Sequence, residues 1–176
     1  METPSWHIRR LDTPTDDEIE SLMDVLVDCV QGGASVGFMV PLDRARSFAF
    51  WKKVASAVAV GDRVLLVAED ELGVCATVQL IVDLPDNQPH RADVAKMLVH
   101  SRARRRGLGE ALMKAVQSEA KERGKTLLVL DTVTDSDASR LYGRLGWVRV
   151  GDIPGFALFP NGEVCSTTYF YRDLTE

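Results

Sequence analysis

Hydrophobic positions recur along this chain with two spacings, one typical of helices and one typical of strands. Apolar residues three or four positions apart predict helices over residues 15–30, 41–60, 107–123 and 136–145. Alternating or continuous apolar segments predict strands over residues 5–11, 63–68, 74–82, 92–99, 126–131, 147–152 and 166–172. Glycine and proline fall between these segments, as at Gly32–Gly33 and residues 85–89, which supports the boundaries.

The order of these elements indicates an α/β fold with a mixed sheet. Strand 92–99, helix 107–123 and strand 126–131 follow one another closely, which predicts a right-handed βαβ unit with two parallel strands. The run Thr126–Leu130 is continuously apolar and predicts a strand covered on both faces. We find no repeat, low-complexity tract or long linker, so the whole chain, 1–176, is expected to form one domain.

A basic, glycine-containing turn joins strand 92–99 to the following helix. The N–H groups at a helix N-terminus and the helix dipole together favour an anion, and Gly107 and Gly109 let a ligand approach the backbone. Three adjacent arginines carry guanidinium groups that suit phosphate: Arg104, Arg105 and Arg106. The turn predicts a site for a phosphorylated cofactor. The alternative is a non-enzymatic module that binds nucleic acid or a phosphorylated partner through Arg102–Arg106.

Composition and charge narrow these alternatives. The formal net charge of −5 opposes binding to nucleic acid or to an anionic membrane. No apolar segment reaches the ~18 residues that span a bilayer, and the N-terminus lacks the pattern of a signal peptide. Three widely spaced cysteines indicate reduced thiols in a cytoplasmic protein: Cys29, Cys75 and Cys165. The three histidines lack metal-binding spacing, so no metal ion is expected: His7, His90 and His100.

Two motifs resemble those of the GNAT N-acetyltransferases. Arg104-x-x-Gly107-x-Gly109 is similar to the loop with which that family binds the pyrophosphate of acetyl-CoA. Residues 135–147 resemble a second family element, Asn-x-x-Ala-x-x-Leu-Tyr-x-x-x-Gly-Phe, with Asp135 replacing the asparagine and Trp147 replacing the phenylalanine. The resemblance implies a central, mostly antiparallel sheet with one parallel βαβ pair, flanked by helices. It also implies transfer of an acetyl group from acetyl-CoA to an amine.

The resemblance further implies roles for particular residues. Tyr142 would protonate the leaving thiolate, although its helical spacing is also that of a core aromatic residue. Asp131 or Asp93 would accept a proton from the amine, unless an ordered water does so and the aspartates only cap loops. The backbone N–H near Leu98 would donate to the thioester oxygen. Besides Leu98 and the arginines and glycines of the turn, the expected contacts of acetyl-CoA are Met97, Val99, Leu108, Glu110, Thr132, Ala138 and Ser139.

The acceptor is less closely defined by the sequence. Four segments resemble those of family members that confer tabtoxin resistance by acetylating this β-lactam amino-acid toxin: 32–39, 91–99, 130–132 and 151–156. That resemblance implies a small amino-acid-like acceptor, contacted by Gly33, Ser35, Phe38, Met39 and Phe156. Residues 32–39 would either cover the substrate or simply connect two helices. Amines of proteins, polyamines and aminoglycosides stay open as acceptors, and a homodimer is expected only by analogy with the family.

Overall fold

The computed structural model describes residues 6–175, which form seven strands and four α-helices. The strands are β1 (Trp6–Arg10), β2 (Arg63–Asp70), β3 (Gly73–Ile81), β4 (Arg91–Val99), β5 (Leu127–Val133), β6 (Val148–Leu158) and β7 (Val164–Asp173). The helices are α1 (Asp16–Gln31), α2 (Arg44–Ala59), α3 (Leu108–Glu122) and α4 (Asp137–Arg144), with a short 3-10 turn at Ser101–Ala103. Each predicted element is present, and Ser5 of the first predicted strand lies outside the described residues.

The strands form one sheet in the order β1-β2-β3-β4-β5-β7-β6. Neighbouring strands are antiparallel except β4 and β5, which are parallel and are connected through α3. This confirms the predicted mixed sheet with one βαβ pair. Because parallel strands end at the same edge of a sheet, the turn before α3 and the segment before α4 lie at that edge together.

Two hydrophobic cores cover opposite faces of this sheet. α1 and α2 pack on one face, where fully buried Trp51 joins Leu65 and Val67 of β2. α3 and α4 pack on the other face, against the alternate residues of β2, such as Val64 and Leu66. The division follows the two-residue period of the strands, so each strand residue shares a face with its partners in neighbouring strands. The three cysteines are buried and free.

β4 and β5 separate soon after they begin. Their pairing joins Arg91–Asp93 to Leu127–Val129 and goes no further, although both strands continue. β4 also contains a bulge opposite β3, where Lys96 has a left-handed backbone conformation with φ of 51°. Within the described residues, the β5 side of β4 therefore has no strand partner over residues 94–99. We call this opening between the two strands the β4–β5 split.

Some predicted features of the C-terminal part of the sheet are wrong. β6 continues to Leu158 instead of ending at residue 152, because it passes Pro154 and Gly155 at an irregularity in its pairing with β7. β5 extends to Val133, so Asp131 lies inside this strand and not at its end. Only alternate residues of β5 are buried, because α1 and α2 cover β2, β3 and β4 instead. The prediction of a strand covered on both faces was therefore wrong.

The connection between α1 and α2 passes from one side of the β4–β5 split to the other. α1 ends beside β4, where Cys29 Sγ donates to the carbonyl of Val99 (3.5 Å). The connection then reaches the β6–β7 hairpin, where the Ser35 hydroxyl donates to the Leu158 carbonyl (2.7 Å). A second bond runs from the N–H of residue 40 to the carbonyl of residue 160 (3.2 Å). The connection is therefore a bridge across the opening as well as a link between helices.

Candidate active site

The N-terminus of α3 differs from those of the other three helices. Side chains cap α1, α2 and α4, since Thr15, Asp43 and Ser136 each accept a hydrogen bond from the first turn. α3 instead begins after Gly107, which has φ of 80° and offers no capping side chain. The first N–H groups of a helix have no partners within the helix. They present hydrogen-bond donors and the positive end of the helix dipole to a ligand that approaches this turn.

The arginines of the turn have different partners. Arg102 Nη1 and Arg106 Nη1 lie 2.5 and 3.4 Å from the largely buried Asp70 Oδ2. Arg104 Nε donates to the carbonyl of the last residue of β4 (3.1 Å), which ties the turn to the strand. Arg105 has no hydrogen bond or ion pair within residues 6–175. Of the three arginines expected to meet phosphate, Arg105 is thus the one whose guanidinium bonds to no group in the described part of the chain.

Asp28, near the end of α1, holds the beginning of this turn. Its carboxylate accepts hydrogen bonds from the Ser101 hydroxyl (2.6 Å) and the Ser101 N–H (2.7 Å). Burial alone would raise the pKa of Asp28, but these bonds and the nearby charges of His100 and Arg104 lower it. The carboxylate is therefore ionised at neutral pH and fixes α1 to the turn.

Gly109 lies where α3 meets α4 and β4. A Cβ atom at this position would come within 3.1 Å of Leu141 Cδ2 and 3.7 Å of the Met97 side chain. The close packing of α3 and α4 therefore favours a glycine here, because Leu141 would have to move by a few tenths of an ångström to admit a Cβ atom. At Gly107 a Cβ atom would meet nothing within 4 Å, and the positive φ is what favours glycine there.

Tyr142 of α4 approaches the split from the α3–α4 face. It is 5% exposed, and its ring centre lies 6.0 Å from those of Trp147 and Phe170. Burial, and then the negative charge of Asp131, raises the pKa of its hydroxyl well above the usual range. The ring is thus part of the core, while the hydroxyl keeps its proton at neutral and mildly alkaline pH.

Asp131 approaches the split from the opposite face, which the helices leave open. Its exposed carboxylate accepts a hydrogen bond from the Thr167 hydroxyl (2.7 Å), and Tyr169 of β7 is its direct sheet partner. Asp93 shares this face but is ion-paired with Arg91 of its own strand. Burial, and then the charges of both aspartates, raise the pKa of Tyr169, which lies near the two carboxylates. Of the two aspartates, Asp131 is the one without a cationic partner among the described side chains.

Three polar residues on the same side of the sheet, where α1 and α2 cover β2, β3 and β4, were not predicted as site residues: Arg63, Gln79 and Lys96. Arg63 Nη1 donates to Gln79 Oε1 (2.5 Å), and Lys96 Nζ lies 6.0 Å from the centre of the Phe50 ring. Lys96 was the signal that sequence reasoning overlooked. A lysine inside an apolar strand needs a partner or contact with solvent, because burying an unpaired charge is costly.

The predicted acceptor residues lie on the connection 32–39 and on β6. Phe38 packs edge to face against Phe50 (5.3 Å between ring centres), and Phe156 packs in the same way against Tyr169 (6.2 Å). These two phenylalanines therefore border the open face. Ser35 instead binds the β6 carbonyl described above, Met39 is 38% exposed, and Gly33 has φ of 92°.

The other predicted cofactor positions lie on the two sides of the split. On one side, Met97, Leu98 and Val99 end β4, while buried Leu108 and exposed Glu110 lie in the first turn of α3. On the other side, Thr132 lies in β5 and Ala138 and Ser139 lie in the first turn of α4. Two polar groups have partners nearby. The Thr132 carbonyl lies 3.0 Å from Thr167 Oγ1, whose one proton it shares with the Asp131 carboxylate, and the Ser139 N–H donates to Ser136 Oγ (3.1 Å).

Residues 6–175 contain neither a candidate membrane-spanning helix nor a candidate metal site. No helix there is both long and apolar enough to cross a membrane. No group of three or more histidine, cysteine, aspartate or glutamate side chains there is arranged to hold a metal ion.

Comparison with known proteins identifies the family. A model described as an acetyltransferase (GNAT) domain matches residues 61–149, just over half of the chain. An Azospirillum brasilense protein, described as an N-acetyltransferase in the hisH-hisA intergenic region, is 30% identical over 126 residues, which is 70% of this chain and 73% of its relative. The chain belongs to the GNAT family of N-acetyltransferases. The two motifs that suggested this family, at 104–109 and 135–147, lie on opposite sides of the β4–β5 split.

Solved structures of GNAT proteins share this fold over almost their whole length. The yncA protein of Salmonella typhimurium, whose structure contains its cofactor acetyl-CoA, is 20% identical with a TM-score of 0.78 and covers 98% of this chain and 95% of its own. The ribosomal-protein-alanine N-acetyltransferase of Brucella melitensis is 20% identical with a TM-score of 0.79 and covers 95% and 99%. At this identity the likeness shows the fold alone, so the acceptor must be argued from this chain's own residues.

Proposed function

We propose that this GNAT enzyme transfers the acetyl group of acetyl-CoA to the amine of a small amino-acid-like molecule. One observation carries the proposal: the β4–β5 split lies between the uncapped N-terminus of α3 and two side chains suited to proton transfer, Tyr142 and Asp131. An extended, phosphorylated co-substrate and an amine can therefore meet in one opening. A toxin with an amino-acid skeleton falls within this class of acceptor.

The residues of the split fit acetyl-CoA. The N–H groups of 107–110 and the guanidinium of Arg105 would bind its pyrophosphate. The unpaired edge of β4 at 97–99 offers backbone groups to the amide-bearing pantetheine arm, as it would to a neighbouring strand. Thr132, Ala138 and Ser139 would line the other side of that arm. Bound in this way, acetyl-CoA supplies a thioester whose carbonyl carbon can accept an amine.

The chemistry needs three groups, and each has a candidate. Asp131 would take one proton from the acceptor's ammonium group, which frees the nitrogen lone pair for attack on the carbonyl carbon. The Leu98 N–H would donate to the carbonyl oxygen as its negative charge grows, a contact worth about 3 kcal/mol in comparable enzymes. As the C–N bond forms and the C–S bond breaks, Tyr142 would give its proton to the sulfur. The surplus proton on the new amide nitrogen would then restore the tyrosine through water. Asp131 would release its own proton to solvent, which returns both groups to their starting state.

The acceptor would enter on the open face opposite Tyr142. Phe38 and Phe156 border this face from the connection 32–39 and from β6, and Gly33, Ser35 and Met39 lie on the same connection. The connection bridges the split, which supports its role as a cover for the acceptor. With the connection 32–39 over the acceptor, this face would admit a small molecule more readily than a folded protein.

Binding of acetyl-CoA provides the first test. At a hundredfold excess of ligand over Kd, linkage adds about 2.7 kcal/mol to the free energy of unfolding. We therefore expect the melting temperature to rise by several degrees with acetyl-CoA, since about 1 kcal/mol moves a domain of this size by a few degrees. Adenosine is the control, because it lacks the pyrophosphate and the pantetheine arm. An unchanged melting temperature at millimolar acetyl-CoA would refute the proposal.

Arg105 allows a sharper test of the proposed pyrophosphate site. Loss of a charge-assisted hydrogen bond costs about 1.5–3 kcal/mol, so Arg105→Ala is expected to raise the Kd of acetyl-CoA roughly tenfold or more. Titration calorimetry measures this Kd, and stability should be unchanged because the Arg105 guanidinium bonds to no group within residues 6–175. Arg123→Ala, at the other end of α3, is the matched control. Equal affinities of the two variants for acetyl-CoA would show that Arg105 is not part of the pyrophosphate site.

The nucleic-acid alternative loses support at the same turn. Arg102 and Arg106 already face the Asp70 carboxylate, so much of the basic charge is balanced within the protein. The remaining acidic surface opposes a polyanion.

A further inference from the structure

We propose that an anion subsite, formed by Lys96 and Arg63, lies where α2 meets the open face and binds the carboxylate of an acceptor whose amine faces Asp131. The inference rests on the proposed function and gives it a substrate class, namely amines that carry a carboxylate, with free α-amino acids as the simplest members. Neither cation was among the residues that the family motifs indicate.

The backbone of β4 directs Lys96 to this face. The strand bulges between the partners of Thr77 and Gln79, and Lys96 is the bulge residue with positive φ. Such a conformation is disfavoured for a lysine, and bulges commonly re-aim a side chain next to active sites. The ammonium group then lies over the Phe50 ring of α2 and 3.9 Å from where a Cβ atom of Gly37 would be. Lys96 therefore reaches the space between α2, the connection 32–39 and the sheet.

Lys96 and Arg63 are neighbouring cations. Neither forms an ion pair within residues 6–175. Burial, and then the positive charge of Arg63, lowers the pKa of Lys96, while the negative charge of Asp131 opposes this in part. A bound carboxylate would relieve the repulsion between the two cations, which makes the site complementary to an anion.

Gln79 adds an independent observation, namely a buried hydrogen-bond donor with no acceptor among residues 6–175. This fully buried residue lies in β3, between the strands of Arg63 and Lys96. Its Oε1 receives the Arg63 guanidinium, which fixes the amide orientation, and Nε2 has no hydrogen-bond partner within residues 6–175. Buried donors normally find an acceptor. The cluster therefore contains ammonium, guanidinium and amide donors, and none of the three bonds to a carboxylate among these described residues.

The geometry of the sheet also sets the distance between the two ends of the acceptor. Arg63, Asp93 and Asp131 share one face, because Arg63 pairs with Ile81, Ile81 with Asp93, and Asp93 with Val129. β4 and β5 pair only at Arg91–Asp93, so Lys96 lies across the β4–β5 split from Asp131, and Arg63 lies two strands farther away. A carboxylate next to the amine would reach Lys96. A longer side chain would extend toward Arg63 and the cavity of about 150 Å³ that it lines with Phe50.

A set of matched amines tests this subsite. Each standard L-amino acid is compared with its α-amide and with its decarboxylated amine, and thiol release from acetyl-CoA gives kcat and KM. We expect one or more carboxylate-bearing members to exceed their amides by at least about tenfold in kcat/KM, the scale of one lost charge-assisted contact. Lys96→Met should raise KM about tenfold for the acid, change kcat little and leave the amide unaffected.

Three further variants serve as controls for the Lys96→Met result. Lys52→Met is the matched control, because Lys52 also lies over a phenylalanine ring, that of Phe48, on the exposed part of α2. Lys96→Arg keeps the positive charge and should restore much of the preference for the acid. If Lys96→Met does not fold, Arg63→Gln should still raise KM for acceptors with a longer acidic side chain.

The outcomes separate the two proposals. If amides and decarboxylated amines react as well as the acids, or if acetyl-CoA binds but no α-amino acid is acetylated, the anion subsite is refuted and the GNAT activity stands. If acetyl-CoA neither binds nor reacts with any amine, the proposed function itself fails. Loss of the acid preference in Lys96→Met but not in Lys52→Met supports the subsite.

Discussion

Replacing Tyr142 by phenylalanine is expected to lower kcat about 100-fold, within the range for loss of a positioned proton donor. The substitution removes only the hydroxyl, because the phenyl ring can keep its contacts with Trp147 and Phe170. The Kd of acetyl-CoA should therefore stay nearly constant, since the hydroxyl is needed only as charge develops on sulfur. Steady-state kinetics and calorimetry on the same preparation measure both quantities.

The matched control is Tyr171→Phe, which removes a hydroxyl from β7 at a position paired with Val129 rather than with Asp131. Similar losses of kcat and acetyl-CoA affinity in Tyr142→Phe would show that the role of Tyr142 is purely structural. The pH profile adds a second criterion. Burial raises the pKa of the phenol, so its proton is retained, and kcat should not fall through loss of this proton up to about pH 10.

Replacing Asp131 by asparagine is expected to lower kcat/KM at neutral pH about 100-fold, the typical contribution of a general base. Asparagine keeps the shape and can still accept the hydrogen bond from Thr167. The loss should shrink as the pH rises toward the pKa of the acceptor amine, because a larger fraction of the amine is then already deprotonated. Rates measured from neutral to alkaline pH test both the size of the effect and its direction.

Asp93→Asn separates the two candidate bases. Asp93 forms a partly exposed ion pair with Arg91, so its replacement should lower the free energy of unfolding by about 1 kcal/mol or less and leave kcat/KM nearly unchanged. A larger catalytic loss in Asp93→Asn than in Asp131→Asn would reverse the assignment. Equal and small losses in both would favour an ordered water as the base.

The sequence predicted the elements and the topology well because both depend on local patterns. The βαβ unit follows from short connections, and the turn at 104–109 follows from glycine and arginine placed before an amphipathic helix. The exposure of Asp131 could not be predicted in this way. Its strand is apolar throughout residues 127–130, and only the positions of α1 and α2 decide that one face stays open.

The partners of the turn arginines also could not be predicted from the sequence. Asp70 lies more than thirty positions from Arg102 and Arg106, and the sheet brings them together. Lys96 shows a third limit of prediction from the sequence. The period of a strand assigns each side chain to a face, but a bulge breaks that period, and residues 92–99 carry no glycine that would mark it.

The short pairing of β4 with β5 has a consequence for remote substitutions. Leu98, Lys96 and the turn before α3 belong to the β1–β4 part of the sheet, whereas Asp131 and Tyr142 follow from β5. The two half-sites are held in alignment by three residue pairs and by the core beneath them, including Met113 and Leu128. A substitution in that core would tilt one half-site against the other. It could therefore abolish turnover in a protein that still folds and still binds both substrates.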